Sequence, residues 1–338
     1  MTSPSSIAAA PPLVDSFGRT HTSLRLSVTD RCNIRCVYCM PGEQVLFLPR
    51  REVLTFEELE RFVRVSARLG VRQVRLTGGE PLVRSELSEL VRRLVGIAGI
   101  DEVTLTTNGV LLDRHAAELK AAGLDRLNIS LDTVRPEAFR ELTRRDLLPE
   151  VLRGIEAAQQ AGFSSIRINA IAMRGVTEQE IVPLGRFARE RALELRFIEY
   201  MPLDADASWR RDQVLSGDEI LAALEAEFGP LSPAPRSDPS QPARDYAFAD
   251  GGVVGFINPV TQPFCSDCNR LRLTAEGQIR NCLFSPEEWD ARRLLRDGAS
   301  DGDLARLIRE AVAAKRAGHG IDAPGFHRPD RAMYQIGG

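Results

Sequence analysis

Two groups of three cysteines are the residues of this 338-residue chain whose types and spacing most clearly suggest chemistry. The two sets are Cys32-x3-Cys36-x2-Cys39 and Cys265-x2-Cys268-x13-Cys282. Three thiolates at such spacings can hold three irons of a [4Fe-4S] cluster and leave the fourth iron open to a substrate or cofactor. A structural zinc site needs a fourth ligand, and no histidine lies close enough in sequence to complete the second set. The pattern therefore favours two iron–sulfur clusters, with zinc as the alternative at the second set.

The composition indicates the class of protein and the cellular compartment in which these cysteines act. Hydrophobic residues make up 43% and charged residues 27% of the chain, which is typical of a globular protein with a substantial core. No apolar run approaches the roughly 18 residues of a membrane span, and residues 1–15 are rich in Ser, Ala and Pro without the features of a signal peptide. We therefore expect a disordered segment at 1–15 and a cytoplasmic protein with no membrane partner. In that reducing compartment, cysteines serve as metal ligands or catalytic thiols more often than in disulfides.

The charge distribution excludes two further classes. The net charge of −3 provides no broad positive field for a nucleic acid. Lysine occurs only at positions 120 and 315, and neither lies in a GxxxxGK[ST] context, so the chain has no P-loop.

Between residues 22 and 200, short strands alternate with amphipathic helices, which predicts a parallel α/β sheet. The predicted strands are Leu24–Thr29, Arg72–Thr77, Val103–Thr107, Arg126–Leu131, Ser165–Ala170 and Leu193–Ile198. Capping boxes are predicted at Thr55–Glu58, Thr177–Glu180 and Ser216–Glu219, and helix-ending glycines at Gly70, Gly123, Gly162 and Gly229.

Each predicted strand has one apolar face and one polar face. In the first, Leu24, Leu26 and Val28 alternate with polar residues, and the other five follow the same rule. One face of every strand must pack on the helices, so the apolar side chains point outward and the polar ones line the interior. We therefore predict an incomplete (βα)6 TIM-like barrel around a large, polar, anionic ligand. The alternative is a sheet with one face exposed to solvent.

The pattern changes beyond the sixth strand. A Pro- and Ser-rich stretch at 231–245 predicts a mobile loop, followed by a hairpin over Asp245–Ile257 and a helix over 301–317. The predicted organisation is a barrel over 16–230 and a C-terminal region over 246–338, which closes the barrel and carries the second cysteine set.

The first cysteine set resembles the CxxxCxΦC motif of the radical S-adenosylmethionine (SAM) superfamily, with Tyr38 as its aromatic residue. Leu76-Thr-Gly-Gly-Glu-Pro-Leu82 resembles the GGE element of that superfamily. The resemblance implies that Cys32, Cys36 and Cys39 hold a [4Fe-4S] cluster that chelates and cleaves SAM. It also implies SAM contacts from Tyr38, Gly79, Ser130 and Met201.

The second set, within Phe264–Leu273 and Asn281–Leu283, resembles the MoaA family of GTP 3′,8-cyclases, as do the TTNG sequence at 106–109 and the terminal Gly337-Gly338. That resemblance implies a second [4Fe-4S] cluster on Cys265, Cys268 and Cys282 that ligates the guanine of GTP. It further implies a catalytic tail, Gly337-Gly338, and catalytic roles for Arg25, Arg270 and Arg272. The implied GTP contacts are Arg25, Arg75, Thr106, Arg167, Arg196, Arg270 and Arg272, with Arg167 at a position where the family commonly has Lys.

The six arginines of that set fit a triphosphate, whereas structural ion pairs with Asp132, Glu194 and Glu199 would account for one or two of them. The implied reaction is removal of the ribose H3′ of GTP by a 5′-deoxyadenosyl radical, followed by attack of C3′ on guanine C8. The product is (8S)-3′,8-cyclo-7,8-dihydroguanosine 5′-triphosphate, a precursor in molybdenum-cofactor biosynthesis.

The resemblance implies several partners: a flavodoxin- or ferredoxin-type one-electron reductant, a downstream cyclic pyranopterin monophosphate synthase and a second copy of the chain in a homodimer. Two alternatives come from other classes, a radical SAM peptide-modifying enzyme with an auxiliary cluster and a metal-stabilised RNA-binding module. The RNA-binding module is disfavoured by the net negative charge of the chain and by its aromatic content of only 6%.

Overall fold

A single sheet of twelve strands organises the molecule, in a computed structural model that describes residues 11–41, 45–236 and 238–337. The strands are β1 Ser23–Ser27, β2 Gln73–Thr77, β3 Glu102–Thr107, β4 Arg126–Ser130, β5 Ile166–Ala172, β6 Glu194–Glu199, β7 Ser232–Pro233, β8 Arg244–Ala247, β9 Val253–Ile257, β10 Arg270–Leu273, β11 Gln278–Arg280 and β12 Trp289–Asp290. Their order across the sheet is β12-β11-β10-β1-β2-β3-β4-β5-β6-β9-β8-β7. Strands β1 to β6 are parallel neighbours, so the predicted partial TIM-like barrel is confirmed.

The C-terminal region does more than cover the open side of the barrel. Strand β10 pairs in parallel with β1, and β9 pairs in parallel with β6, so both edges of the six-stranded core are extended by later strands. The hairpin predicted over Asp245–Ile257 is confirmed as β8 and β9, which pair antiparallel. Strand β7 pairs with β8 and ties the start of the predicted loop at 231–245 to the edge of the sheet.

Ten α-helices are assigned in the described residues, and those between the barrel strands cover the outer face of the sheet. They are α1 Phe56–Arg68, α2 Leu87–Val95, α3 Leu112–Ala121, α4 Pro136–Thr143, α5 Leu148–Gln160, α6 Ile181–Glu190, α7 Gly217–Phe228, α8 Ala291–Arg296, α9 Asp301–Ala313 and α10 Met333–Ile336. The capping boxes at Thr55 and Ser216 are confirmed. The four helix-ending glycines all adopt positive φ, from 82° to 104°, which a glycine accommodates without strain.

Two helix predictions need correction. The prediction of a capping box at Thr177 was wrong. The Thr177 hydroxyl donates to the Ile171 carbonyl at 2.7 Å and accepts from the Met173 amide at 2.8 Å. These hydrogen bonds hold the end of β5 instead of capping a helix. Helix α6 begins later, at Ile181. The helix predicted over 301–317 ends at Ala313, so Lys315 lies just beyond its last turn.

The register of the strands places apolar side chains outward and polar ones inward, as predicted. Leu24 and Leu26 are completely buried in the core. Between them, Arg25 lies opposite Arg75 on β2 and opposite Arg272 on β10. Three arginines from separate parts of the chain therefore lie side by side inside the barrel.

The start of the described chain also differs from expectation. Residues 1–10 of the predicted disordered segment lie outside the described residues, but residues 11–15 are packed on the barrel. Leu13 is 1% exposed, its amide donates to the Leu69 carbonyl at 3.1 Å, and its carbonyl accepts from the His21 amide at 2.8 Å. Burial of Leu13 and these backbone hydrogen bonds fix this segment. No helix in the described ranges has the length and apolar character to cross a membrane.

Candidate functional site

A cavity of about 330 Å³ lies at the carboxyl ends of the barrel strands, where sites of βα barrels lie. Both cysteine sets border it, together with most of the polar residues predicted to face inward. Its predicted site residues are Arg25, Cys32, Cys36, Tyr38, Cys39, Arg75, Gly79, Thr106, Ser130, Arg196, Met201, Cys265, Cys268, Arg270, Arg272 and Cys282. Sixteen residues singled out from the sequence thus surround one space.

The first cysteine loop follows β1 and is held against the glycine turn that follows β2. The Gly79 amide donates to the Thr29 carbonyl at 2.8 Å, and the Glu80 amide donates to the Arg31 carbonyl at 2.7 Å. A Cβ at Gly78 would lie 2.3 Å from the Thr29 carbonyl oxygen, and one at Gly79 would lie 2.4 Å from the Arg31 carbonyl oxygen. The two glycines are therefore required for contact with the cysteine loop as well as for access to the cavity.

Carboxylates surround the first cysteine set. The Tyr38 hydroxyl donates to Asp132 at 2.5 Å, and Asp132 also accepts from the Ile171 amide at 2.8 Å. Burial, followed by the nearby Asp132 carboxylate, raises the pKa of Cys36. Burial and Glu80 raise the pKa of Cys32 to about 11. These thiols stay protonated until a metal displaces the protons, which is the behaviour of cluster ligands in an acidic surrounding.

Cations surround the second set. The Arg270 guanidinium lies over the ring of Phe264, 4.6 Å from its centroid, and Lys315 donates to the sulfur of Cys268 at 3.4 Å. Burial raises the pKa of the Cys268 thiol, but Arg270 and Lys315 outweigh it and lower that pKa to about 6. The Cys268 sulfur is therefore mostly a thiolate at neutral pH, ready to ligate iron.

The arginines between the two sets have unused hydrogen-bonding capacity. Nη2 of Arg196 and both Nε and Nη2 of Arg270 are buried and make no hydrogen bond within the described ranges. Burial, with the neighbouring charges of Arg126, Arg196 and Arg167, lowers the pKa of Arg75 to about 9. Burial and the charges of Arg75 and Arg270 lower that of Arg25 as well. Buried cations with free donors favour an anionic ligand with many acceptors, such as a triphosphate.

Two predicted residues stand apart from the others. Arg167 does not line the cavity, and its guanidinium forms an ion pair with Glu194. Gly337 docks into the barrel with φ of 69°, and its carbonyl accepts from Arg272. A Cβ at Gly337 would lie 2.2 Å from Ser27 Oγ and 2.5 Å from Thr77 Oγ1. Gly338 lies outside the described residues.

Sequence reasoning missed several residues that shape the site. Buried Glu80 accepts from the Thr107 hydroxyl and the Asn108 amide, both at 2.7 Å, and Asn108 donates to the sulfur of Cys32 at 3.7 Å. Their signal was their place at the ends of β2 and β3, where parallel strands bring polar groups together. Lys315 offered no local signal, because its partners lie about 34–47 residues away.

The partial barrel and the three-cysteine loop after its first strand place this chain in the radical SAM class. The profile of the Radical SAM superfamily matches residues 26–188, and that of Molybdenum Cofactor Synthesis C matches residues 193–321. The structure resembles the crystal structure of Streptococcus suis SuiB bound to S-adenosylmethionine, with a TM-score of 0.57 at 16% identity, covering 86% of this chain and 68% of SuiB. At 16% identity the likeness shows a shared fold alone, so it does not support the alternative prediction of a peptide-modifying enzyme.

Closer relatives define the family. A GTP 3′,8-cyclase of Rhodopirellula baltica is 52% identical over 96% of this chain and 92% of its own length. A GTP 3′,8-cyclase of Streptomyces coelicolor is 46% identical over 96% of both chains. The chain therefore belongs to the GTP 3′,8-cyclase family.

Proposed function

We propose that this chain is a GTP 3′,8-cyclase that acts in the synthesis of the molybdenum cofactor. The observation that carries the proposal is the single cavity bordered by both cysteine sets and by Arg25, Arg75, Arg196, Arg270 and Arg272. One cysteine set would suffice for radical formation, so the second set and the arginines indicate a bound anionic substrate. Membership of the family supplies the identity of that substrate, GTP.

The proposed SAM site is the half of the cavity next to β1 to β4. Cys32, Cys36 and Cys39 supply three thiolates for a [4Fe-4S] cluster, which leaves one iron for SAM. Gly79 lies just after β2, Ser130 ends β4 and Met201 lies beyond β6 on the same cavity, and we assign all three contacts to SAM. Tyr38 borders it as well, with its hydroxyl held by Asp132.

The proposed second [4Fe-4S] cluster lies on Cys265, Cys268 and Cys282, facing the guanine of GTP. Zinc is disfavoured here because both ring nitrogens of His319, the histidine bordering the cavity, already have partners. Nε2 lies 2.8 Å from the Pro259 carbonyl, and Nδ1 lies 3.1 Å from the Ile321 amide. The neutral ring that satisfies both contacts has no lone pair left for a metal.

We assign the triphosphate to the arginines between the cysteine sets, with Thr106 as a neutral partner. The free donors of Arg196 and Arg270 supply charge-assisted hydrogen bonds to phosphate oxygens. Arg25, Arg270 and Arg272 also border the reacting end of the substrate in this arrangement. The Gly337 carbonyl accepts from Arg272, so we assign to the tail Gly337-Gly338 the role of organising this group of cations.

When bound, the first cluster and SAM supply the 5′-deoxyadenosyl radical that takes H3′ from GTP, so that C3′ can bond to guanine C8. The chain's own contribution is to hold the ribose near that radical, to exclude water and to keep the triphosphate in place. The reaction also needs a one-electron reductant, for which we propose a flavodoxin or ferredoxin. We further propose that the product passes to a cyclic pyranopterin monophosphate synthase and that the enzyme works as a homodimer in the cytoplasm.

Nucleotide selection tests the proposal. The reconstituted enzyme is incubated anaerobically with SAM, dithionite and each of the four nucleoside triphosphates in turn. We expect GTP alone to stimulate formation of 5′-deoxyadenosine together with a cyclised nucleotide. If ATP, CTP and UTP stimulate 5′-deoxyadenosine formation as strongly as GTP does, the proposed substrate is contradicted. The same holds if none of the four nucleotides stimulates it.

A further inference from the structure

Lys315 is a buried ammonium group, 4% exposed, at the second cysteine set. Its Nζ donates to the Asn281 carbonyl at 2.7 Å, to the Arg270 carbonyl at 2.9 Å and to the sulfur of Cys268 at 3.4 Å. A protonated lysine has three N–H donors, and these three acceptors use all of them. A buried cation with every donor satisfied is a fixed part of the structure.

The three acceptors belong to the two segments that carry Cys268 and Cys282. Arg270 opens β10 two residues after Cys268, and Asn281 lies between the end of β11 and Cys282. The Asn281 side chain in turn donates to the Ala311 carbonyl in α9 at 2.8 Å, close to the turn that carries Lys315. One ammonium group therefore fixes Cys268 and Cys282 relative to each other.

The choice of lysine is itself informative. All but two of the 44 cationic side chains are arginines, and the other lysine, Lys120, lies over the ring of Phe163. The planar guanidinium of arginine directs its donors outward in one plane, whereas a compact ammonium can donate to three acceptors arranged as a tripod. The Lys315 ammonium meets three acceptors, at 2.7, 2.9 and 3.4 Å, so this position suits lysine.

We propose that Lys315 is a positioning residue for the second cluster, one that sets the spacing of Cys268 and Cys282 and tunes the cluster through a charge-assisted N–H···S hydrogen bond. This inference rests on the proposed function, because it requires the second cluster. A nearby positive charge and a hydrogen bond to a ligand sulfur stabilise the reduced, more negative state of a cluster. Lys315 therefore raises the reduction potential of the second cluster.

The test isolates the second cluster by using the full chain with Cys32, Cys36 and Cys39 all replaced by Ala. In that background, Lys315→Met keeps the aliphatic stem and removes the charge, and Lys315→Arg keeps the charge but changes the geometry. Lys120→Met is the matched control. Each protein is reconstituted anaerobically, its iron is counted, and its midpoint potential is measured by a redox titration followed by electron paramagnetic resonance.

We expect Lys315→Met to lower the midpoint potential by at least about 59 mV, a tenfold change in a one-electron equilibrium constant. Lys315→Arg should fall between Lys315→Met and the parent, and Lys120→Met should match the parent. An unchanged potential in Lys315→Met would overturn the inference alone. Loss of the folded circular-dichroism spectrum in both Lys315 variants would also overturn it, since the side chain would then be only a stabilising group. Absence of iron from the parent background would instead refute the second cluster of the proposed function.

Discussion

Individual residues give the two cysteine sets opposite electrostatic surroundings. Burial, reinforced by Glu80 and Asp132, raises the pKa values of the Cys32 and Cys36 thiols. At Cys268, Arg270 and Lys315 outweigh burial and lower the pKa to about 6. Negatively charged groups next to a cluster disfavour its reduced state. The reduced cluster is then a stronger reductant, as radical formation requires. Cationic surroundings suit a cluster that binds a substrate. The two sets are therefore equipped for different roles.

Replacing one cysteine in each set separates those roles. Cys36→Ala should abolish SAM cleavage, because the site that binds and reduces SAM is lost. Cys268→Ala should retain uncoupled SAM cleavage but lose GTP conversion, because only substrate anchoring fails. The measurement is 5′-deoxyadenosine and cyclised nucleotide in the same anaerobic reaction. Normal SAM cleavage by both variants would show that the roles are assigned wrongly.

The surroundings of the arginines divide them in the same way. Arg196 borders the cavity, and its Nη2 makes only long ion pairs, 3.6 Å from Asp245 and 3.8 Å from Glu194, with no hydrogen bond in the described residues. Arg167 lies off the cavity, and its Nε donates to Glu194 at 2.5 Å. We expect Arg196→Met to raise the dissociation constant of GTP about ten- to a hundredfold, since one charge-assisted contact contributes about 1.5–3 kcal/mol.

Arg167→Met is the matched comparison, and it should raise the dissociation constant less than Arg196→Met does. Arg167→Lys, which restores the residue common in the family, should bind GTP much as the parent does. Isothermal titration calorimetry on the anaerobic holoenzyme measures all three variants. An equal loss in Arg167→Met and Arg196→Met would return Arg167 to the triphosphate site.

At the scale of elements, the C-terminal tail fits closely against the barrel at Gly337. Gly337→Ala keeps the length of the tail but places a Cβ within 2.5 Å of Ser27 and Thr77 at a φ of 69°. We expect it to preserve iron content and folding while removing most GTP cyclisation, as should deletion of residues 337–338. Gly325→Ala is the control, because Gly325 also has positive φ, 87°, but a Cβ there meets nothing within 4 Å. Full turnover by Gly337→Ala would show that the docked tail is dispensable.

The N-terminal segment carries a pH-dependent element. His21 is 1% exposed and lies 3.0 Å from Asp15, and burial, with the charge of Lys315, lowers its pKa to about 4 although Asp15 opposes that shift. In the unfolded chain, His21 therefore binds a proton below about pH 6.5. In the folded chain, it binds that proton only below about pH 4. Folding stability is lost as the pH falls through that window, by up to about 3 kcal/mol.

His21→Gln should remove that part of the pH dependence, because glutamine can still donate to Asp15 but does not titrate. The measurement is the urea midpoint at several pH values between 4 and 7, compared with the parent and with His115→Gln on the partly exposed helix α3. The difference between His21→Gln and the parent should change with pH only within this window. A constant difference would contradict the buried neutral histidine.

The sequence predicted some elements well for a physical reason. Alternation of apolar and polar residues marks β1 to β6, because each strand packs one face on helices and turns the other to the cavity. It could not predict that β9 and β10 extend the barrel in parallel, since Leu271 pairs with Leu24 across most of the chain. The sequence could not predict the ion pair between Arg167 and Glu194 either. An arginine on the inner face gives the same sequence pattern whether its partner is a phosphate or Glu194. Local patterns specify faces, and distant pairing decides which residues meet.

At the scale of the whole molecule, the cavity is built from both ends of the described chain. The first cysteine set follows β1, and Cys265 and Cys268 precede β10, which pairs with that same strand. Cys282 follows β11, and the tail docks against Ser27 and Thr77. Arg19 links the same regions by donating to the carbonyls of Cys265 at 2.7 Å and Ala317 at 2.9 Å. Both cysteine sets therefore hold their positions only when the N- and C-terminal regions are assembled on one sheet.

Transfer of a specific hydrogen tests the central claim most directly, that this cavity brings the ribose C3′ of GTP to the radical derived from SAM. The enzyme, with both clusters reconstituted, is incubated anaerobically with SAM, dithionite and GTP carrying deuterium at C3′, and the 5′-deoxyadenosine is analysed by mass spectrometry. We predict one deuterium in the 5′-deoxyadenosine and none with GTP labelled at C8. Unlabelled 5′-deoxyadenosine from the C3′-labelled substrate would contradict the proposed reaction.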